Sequence, residues 1–295
     1  MTLLILIVLI MELVNMTKPK ILSVIIIYNP DLDLLKRNID ALINHVDNLV
    51  IWNNSPEKFK EDLISSDGAG RLLFFSEGSN LGISKALNTV WHYAQQNGYD
   101  YLLTMDQDSV WVNLEGFLER VFSFKECLNI FGPEYSLCEA GSFTEKEYRI
   151  TSGMLVPIKI LNEIGGYYTD FYVDGVDVEL CYRAKEHGYK VYNVSGSMLE
   201  HHAGSNLHCK FLWHQFYSDG YSPKRIFGII RNHLIIYKRF KIGKLERDYI
   251  LHHYYIMMPI KIILGEKEKW SKLKSFIKGI YRGVVDSYIE INNIQ

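Results

Sequence analysis

The chain is poor in several features that assign a protein to a class at a glance. It has four cysteines, Cys127, Cys138, Cys181 and Cys209, with no C-x-x-C pair among them. His208 adjoins Cys209, but adjacent residues do not make a zinc-site spacing, and the four read as ordinary reduced thiols of a cytosolic protein. There is no excess of either charge: 32 Lys/Arg face 34 Asp/Glu, a formal net charge of −2, so no overall field points to nucleic acid. Internal repeats and low-complexity linkers are lacking, which excludes solenoids and arrays. Long apolar runs are lacking too. Leu3 to Met11 is wholly apolar but is halted by Glu12. It is too short for a membrane span and lacks the basic start of a signal peptide. Residues 1–16 are expected to be a dispensable extension, with a weak anchor as the alternative.

The 295 residues, 48% of them hydrophobic, suffice for a full core in one large domain, or in a domain plus an extension. Charge is unevenly spread. Between Lys224 and Arg282 lie 15 of the 32 basic residues and only 4 of the 34 acidic ones. A near-neutral protein with a basic carboxyl-terminal segment suggests an anionic surface as partner. Ile21 to Tyr28 is a nearly continuous apolar run rich in β-branched residues, as expected of a strand buried on both faces of a parallel sheet. Asn29-Pro30-Asp31 ends it, and Leu34, Leu35, Ile39, Leu42 and Ile43 recur at helical spacing. Further strands are expected over Asn48–Trp52, Arg71–Phe75 and Tyr101–Met105, with a helix from Asn80-Leu81-Gly82 to Asn97-Gly98. This alternation predicts a three-layer α/β sheet, which binds ligands beyond the carboxyl ends of its strands. The polar turns after Tyr28, Trp52 and Met105 are expected along that edge. From Tyr221 onward the pattern is helical, giving three expected regions: 1–16, a catalytic domain over 17–220, and a basic helical extension over 221–295.

The sharpest chemical signal is Asp106-Gln107-Asp108 at the end of the run Tyr101–Met105. Alternate side chains at a strand end point the same way, so two carboxylates spaced i, i+2 converge. They repel unless a cation lies between them, and a hard divalent metal with oxygen ligands, Mg²⁺ or Mn²⁺, suits the place. A second block follows: Thr151-Ser152-Gly153, then Asp174-Gly175-Val176-Asp177-Val178-Glu179 through Arg183, then His201-His202-Ala203-Gly204.

With Tyr28-Asn29-Pro30-Asp31, Asn80-Leu81-Gly82-Ile83-Ser84-Lys85, Tyr221-Ser222-Pro223 and Arg231-Asn232, these pieces resemble, in order, a family 2 glycosyltransferase of the bacterial rhamnosyltransferase branch. The resemblance covers about residues 20–240. It implies the GT-A fold: a three-layer sandwich with a mostly parallel central sheet, here with a helical carboxyl-terminal extension. It implies Asp106, Asp108 and His201 as metal ligands, with His202 the alternative to His201. Asp177 is implied as general base, with Asp174 and Glu179 as rivals for that role or as acceptor ligands beside Arg231. Tyr28, Asn29, Trp52, Asn53, Asn80, Gly82, Lys85, Gln107 and Gly153 are expected around the nucleotide-sugar. One departure concerns the base: the family's V-D-N-x-S is Ile51-Trp52-Asn53-Asn54-Ser55 here, so Trp52 replaces an aspartate that contacts the base. Trp52 is expected to stack on it or merely to pack, with Asn53 taking over the hydrogen bonding.

The reading is an inverting transferase, for no second nucleophile is placed for a two-step retaining route. The expected donor is dTDP-rhamnose and the acceptor a lipid-linked or growing polysaccharide. A UDP-hexose donor is the neighbouring alternative. A catalytically inactive nucleotide-sugar-binding scaffold at the membrane and a nucleotidyltransferase are the others. The expected place is the cytoplasmic face of the cell membrane. There Lys272, Lys274, Lys278 and Arg282 border an apolar side formed by Trp270, Leu273, Phe276, Ile277, Ile280 and Val284, the pattern of a helix lying on an anionic bilayer. Packing on the catalytic domain is the competing explanation.

Overall fold

The computed structural model describes residues 18–57, 59, 70–134, 141–201 and 207–294, with the backbone alone for His201 and 288–294. The segment 1–16, Cys138 and His202 therefore lie outside the described residues. Four strands form first: β1 (Ile21–Ile27), β2 (Asn48–Asn53), β3 (Leu72–Ser76) and β4 (Tyr101–Asp106). Between them come helices α1 (Leu32–Leu42) and α2 (Ile83–Gln96). Asp31 caps α1 by accepting from the Leu34 amide, which satisfies one of the free amides of the first turn. The short β5 (Ser109–Trp111) precedes α3 (Leu114–Ser123), β6 (Ile130–Pro133), β7 (Phe143–Glu145), β8 (Met154–Pro157), α4 (Ile158–Ile164), α5 (Val176–Glu186) and β9 (Val191–Val194).

Eight strands make one sheet in the order β3-β2-β1-β4-β8-β6-β9-β7. The run from β3 to β4 is parallel, and β8 and β7 enter antiparallel. The alternation of strand side chains divides the core into two. Leu22, Val24, Val50, Trp52 and Leu102 face α2 and α5, while Ile21, Ile25, Leu49, Ile51, Leu103 and Met105 face α1 and α3. Three layers follow directly from burying both faces. The parallel register also aligns the exits of β1, β2 and β4, so their polar turns share one edge.

Beyond β9 come β10 (Leu199–His201), which pairs with β5, and the hairpin β11 (Leu207–Phe211) and β12 (His214–Ser218). The chain ends in α6 (Pro223–Arg239), α7 (Lys244–Ile250), a π-helical turn (Leu251–Met257), α8 (Met258–Gly265) and α9 (Lys269–Ile294). Helix α9 packs on the rest of the chain, as one of the two competing accounts expects. Leu273, Phe276 and Ile280 pack inward with Ile226, Ile229 and Ile230 of α6. Gly279 and Gly283 allow that approach, since a Cβ on Gly283 would lie 2.8 Å from the Leu234 Cβ. Trp270, Ile277 and Val284 remain exposed, so the apolar side expected as one surface is split in two. Lys272 departs further from expectation. It is 7% exposed and paired with Glu266 at 2.5 Å. Among the described residues no helix is long and apolar enough to cross a membrane.

Candidate active site

Asp106 is the last residue of β4 and is held through its backbone. The side chain of Asn38, fully buried on α1, donates to the Asp106 carbonyl at 2.9 Å. The Asp106 amide points at the Ser152 hydroxyl at 3.4 Å. Its carboxyl is pushed up to about 7 by burial first, then by the negative charges of Asp108 and Asp177, while Arg225 pulls the other way. Three carboxylates from two distant segments therefore share one electrostatic site. Ser109, next to Asp108, is the register partner of His201 in the β5–β10 ladder, which places the His201 backbone beside the acidic pair. The His201 side chain lies outside the described residues.

Asp177 stands in the first turn of α5. Its Oδ2 accepts from the Thr151 amide at 3.1 Å and its Oδ1 from the Val178 amide at 2.9 Å. Burial raises its carboxyl all the same, and Asp174 adds to the shift. Thr151 is in turn tied to β4, because the Thr104 hydroxyl donates to its carbonyl at 2.6 Å. The turn Thr151-Ser152-Gly153 thus joins the strand that carries Asp106 to the helix that carries Asp177. Gly153, with φ +78°, is tightly enclosed: a Cβ there would meet Pro133 at 2.9 Å and Trp111 at 3.2 Å. Only a residue tolerant of left-handed backbone fits.

The expected nucleotide-sugar residues line the same edge, mostly as builders of its loops. The Gln107 amide exchanges hydrogen bonds with the Tyr28 backbone, accepting at 2.7 Å and donating at 3.2 Å, and so locks the exits of β1 and β4 together. The Tyr28 ring is half exposed above them. Asn29 takes φ +48° and donates its amide to Ser55 Oγ at 3.0 Å. The Asn53 carboxamide is consumed within its own turn by the Ser55 amide and the Glu57 carbonyl. Asn54, not singled out from sequence, bridges to the next loop by accepting from the Leu81 amide at 3.0 Å. Asn80 accepts from the Gly82 amide at 3.0 Å. Gly82 (φ +83°) is obligatory, since a Cβ would sit 2.3 Å from the Tyr172 carbonyl oxygen. Lys85 is exposed on the first turn of α2.

Three expectations need correction. Trp52 is 1% exposed and packs edge-on to Phe75 in the core, so it does not stack on a nucleotide base. The parity of β2 puts it on the same face as the buried Val50. Glu179 is 1% exposed and engaged by Arg183 at 2.7 and 2.8 Å and by Arg239 at 3.4 Å. Arg183 also donates to the carbonyls of Ile164 and Gly166, so Glu179 holds α5 to its surroundings and does not face an acceptor. Arg231 is occupied by Asp286 at 2.6 Å and by the Asp170 carbonyl at 3.2 Å, which latches α6 to α9. Asp174 is bound by Arg225 at 3.0 Å. Arg225 was missed from sequence although it lies two residues beyond Pro223, between two recognised motifs. Its neighbour Lys224 stacks on the Tyr172 ring at 3.6 Å from the centroid.

Asp106 and Asp108 are hard oxygen donors whose mutual repulsion a divalent cation relieves, and that repulsion adds to the burial that raises the Asp106 carboxyl. The donor chemistry therefore fits Mg²⁺ or Mn²⁺. Among the described residues no group of three or more His, Cys, Asp or Glu is arranged to hold a metal.

Two outcomes follow. Because Asp106 titrates near 7 in the folded chain and near 4 when unfolded, the native state binds the extra proton. The stability this group contributes is full below about pH 4 and is lost as pH rises to about 7. Urea unfolding without metal should show a fall of up to roughly 4 kcal/mol over that window, diminished in Asp106→Asn. Glu179→Gln strands the buried Arg183 and removes the partner of the half-buried Arg239, and should cost about 3 kcal/mol or more in the same measurement. Intact stability with a raised acceptor KM would instead return Glu179 to the acceptor site.

No family model matches the chain. A curated relative, the dTDP-rhamnosyl transferase RfbF of Shigella flexneri, is 24% identical over 214 residues, which is 62% of this chain and 69% of that protein. A solved structure of GalNAc-T7 with UDP, GalNAc and Mn²⁺ superposes with a TM-score of 0.57 at 13% identity, over 95% of this chain and 58% of that one. S. aureus TarS 1-349 gives 0.51 at 12% identity, over 88% of this chain and 81% of that one. The mixed sheet, its two helical layers and the acidic exit of β4 therefore form a GT-A fold.

Proposed function

We propose that the protein is an inverting, metal-dependent glycosyltransferase that moves rhamnose from dTDP-rhamnose onto a lipid-linked or growing polysaccharide acceptor. The observation that carries this reading is the meeting of Asp106, Asp108 and Asp177 at the carboxyl edge of a parallel sheet, beneath loops built by Gln107, Asn54 and Asn80. Asp177 takes the proton of the acceptor hydroxyl. Burial raises its carboxyl, which makes it a stronger base than an exposed aspartate. The acceptor oxygen then bonds to the anomeric carbon as the bond to the diphosphate breaks, inverting that carbon. Asp106 and Asp108, with His201 as a third ligand, hold Mg²⁺ or Mn²⁺, which when bound neutralises the leaving diphosphate. The amides at the start of α2, and Lys85 on its exposed first turn, favour the same anion. Tyr28 and Asn29 border the nucleotide.

The relative's name supports rhamnose. A UDP-hexose donor is the second reading, favoured by the UDP and GalNAc bound in the GalNAc-T7 structure. An inactive scaffold accounts poorly for an acid kept buried in the first turn of α5. The enzyme is taken to work in the cytoplasm at the inner face of the membrane, where a lipid-linked acceptor is presented, and nucleic acid has no part.

The test is a panel of nucleotide sugars with Mg²⁺ or Mn²⁺, scored by diphosphate release with and without a lipid-linked acceptor. The highest turnover is expected with dTDP-rhamnose. Asp177→Asn should lower kcat at least ~10²-fold with donor affinity nearly unchanged; Asp174→Asn behaving so in its place would move the base. Asp108→Asn should abolish transfer and weaken metal-dependent nucleotide binding with the fold intact. Full activity in that variant, or in EDTA, would remove the metal from the mechanism.

A further inference from the structure

The β11–β12 hairpin carries a feature that the fold does not explain. Its two strands are joined by Leu212 and Trp213, and Leu212 adopts φ +55°. A branched side chain is strained in that left-handed region, where a turn takes glycine or asparagine at no cost. The same tip is exposed: Phe211 by 42%, Leu212 by 63% and Trp213 by 77%. Strain and exposure both count against these residues in an isolated protein, and strain that persists marks a place where the side chain is wanted.

The hairpin is firmly mounted. Cys209 and Phe216 close against Gly265 at the end of α8, where a Cβ would meet Cys209 at 2.5 Å. Ser218 donates to Glu266, which is buried with Lys272. α8 is itself anomalous. Met258 and Ile262 are buried, while Ile260 and Ile263, continued by Ile256 of the preceding turn, are exposed. Its apolar residues thus have a covered side and an open one, with the half-buried Lys261 as the helix's one charge. The exposed charges nearby are mostly basic: Lys210 beside the tip, then Lys267 and Lys269 after α8, with Glu268 the exposed acid between them.

We propose that the Phe211-Leu212-Trp213 tip, with the outer side of α8, is a docking surface for an anionic bilayer, the tip entering the headgroup region while the lysines meet lipid phosphates. The inference deepens the proposed function by naming the part of the chain that brings the site to a lipid-linked acceptor, and it rests on that reading. Tryptophan and leucine suit the water–hydrocarbon boundary, and lysines beside them suit anionic headgroups. A second copy of the chain fits less well, because a self-complementary contact would set lysine against lysine. The cationic contribution comes from this surface and not from Lys272, which Glu266 has already neutralised.

The full-length protein is sedimented with phosphatidylcholine vesicles, with and without phosphatidylglycerol. Binding is expected only with the anionic lipid and should fall at least ~10-fold in Leu212→Gly/Trp213→Ser. The Tm of that variant should hold or rise, since glycine relieves the left-handed strain. Absence of binding by the parent chain, or equal binding by the variant, overturns the proposal. So does a dimer that the variant dissolves in sedimentation velocity, which would seat a second copy on this surface. Vesicle binding needs no nucleotide sugar, and diphosphate release onto a soluble acceptor needs no vesicle, so failure of either assay identifies which reading has failed.

Discussion

Crowding of like charge at the exit of β4 is the constraint on which the rest of this structure depends. Burial first, and the charges of Asp108 and Asp177 after it, push the Asp106 carboxyl up to about 7, and left alone such a cluster would push its segments apart. The chain prevents this with rigid backbone anchors: Asn38 on the Asp106 carbonyl, Thr104 on the Thr151 carbonyl, and the Thr151 amide on Asp177. Each anchor is an uncharged donor. They fix where the carboxylates stand without neutralising them. Preorganised charge of this kind is useful in catalysis because the scaffold has already met the cost of assembling it.

α6 belongs mechanically to the site. Within its length Arg225 binds Asp174, Asn232 donates to the Asp174 carbonyl at 2.7 Å, Arg231 reaches the Asp170 carbonyl and Arg239 reaches Glu179. The stretch between α4 and α5 is also stitched to α2, through Ser84 on the Phe171 carbonyl at 2.5 Å and Asn88 on the Tyr167 backbone at 2.7 and 2.8 Å. The loop before Asp177 is therefore gripped from both sides, by α2 and by the first of the carboxyl-terminal helices. α9 braces α6 in turn through the Arg231–Asp286 pair, so residues after 220 influence the geometry around Asp177.

What was legible in the sequence follows the range of the forces involved. Strands buried on two faces appear as continuous apolar runs, so β1 and β4 were located to within a residue or two. The acidic pair was legible because its spacing is local. Partnerships between distant residues were not. Glu179, Arg231 and Lys272 looked like solvated or substrate-facing charges until Arg183, Asp286 and Glu266 were seen beside them. Trp52 is the instructive exception, because its parity with Val50 was available from the strand pattern and already placed it in the core.

The same pairings distinguish three acids that compete in the sequence for the role of base. Asp174, Glu179 and Asp177 lie within six residues of one another, and any of them is chemically able to accept a proton. Burial raises the Asp174 carboxyl on balance, while Arg225, bound to it, pulls the other way. Arg183 and Arg239 enclose Glu179 in the interior. Among the described residues Asp177 has no ion-pair partner of this kind; amides and a hydroxyl orient it, and burial raises it. A general base must be aimed without being neutralised, because a cation bound to it would stabilise the carboxylate and weaken its hold on the proton. Of the three acids, Asp177 is the one oriented by amides and a hydroxyl where the other two are held by arginines, and those arginines also hold its loop in place.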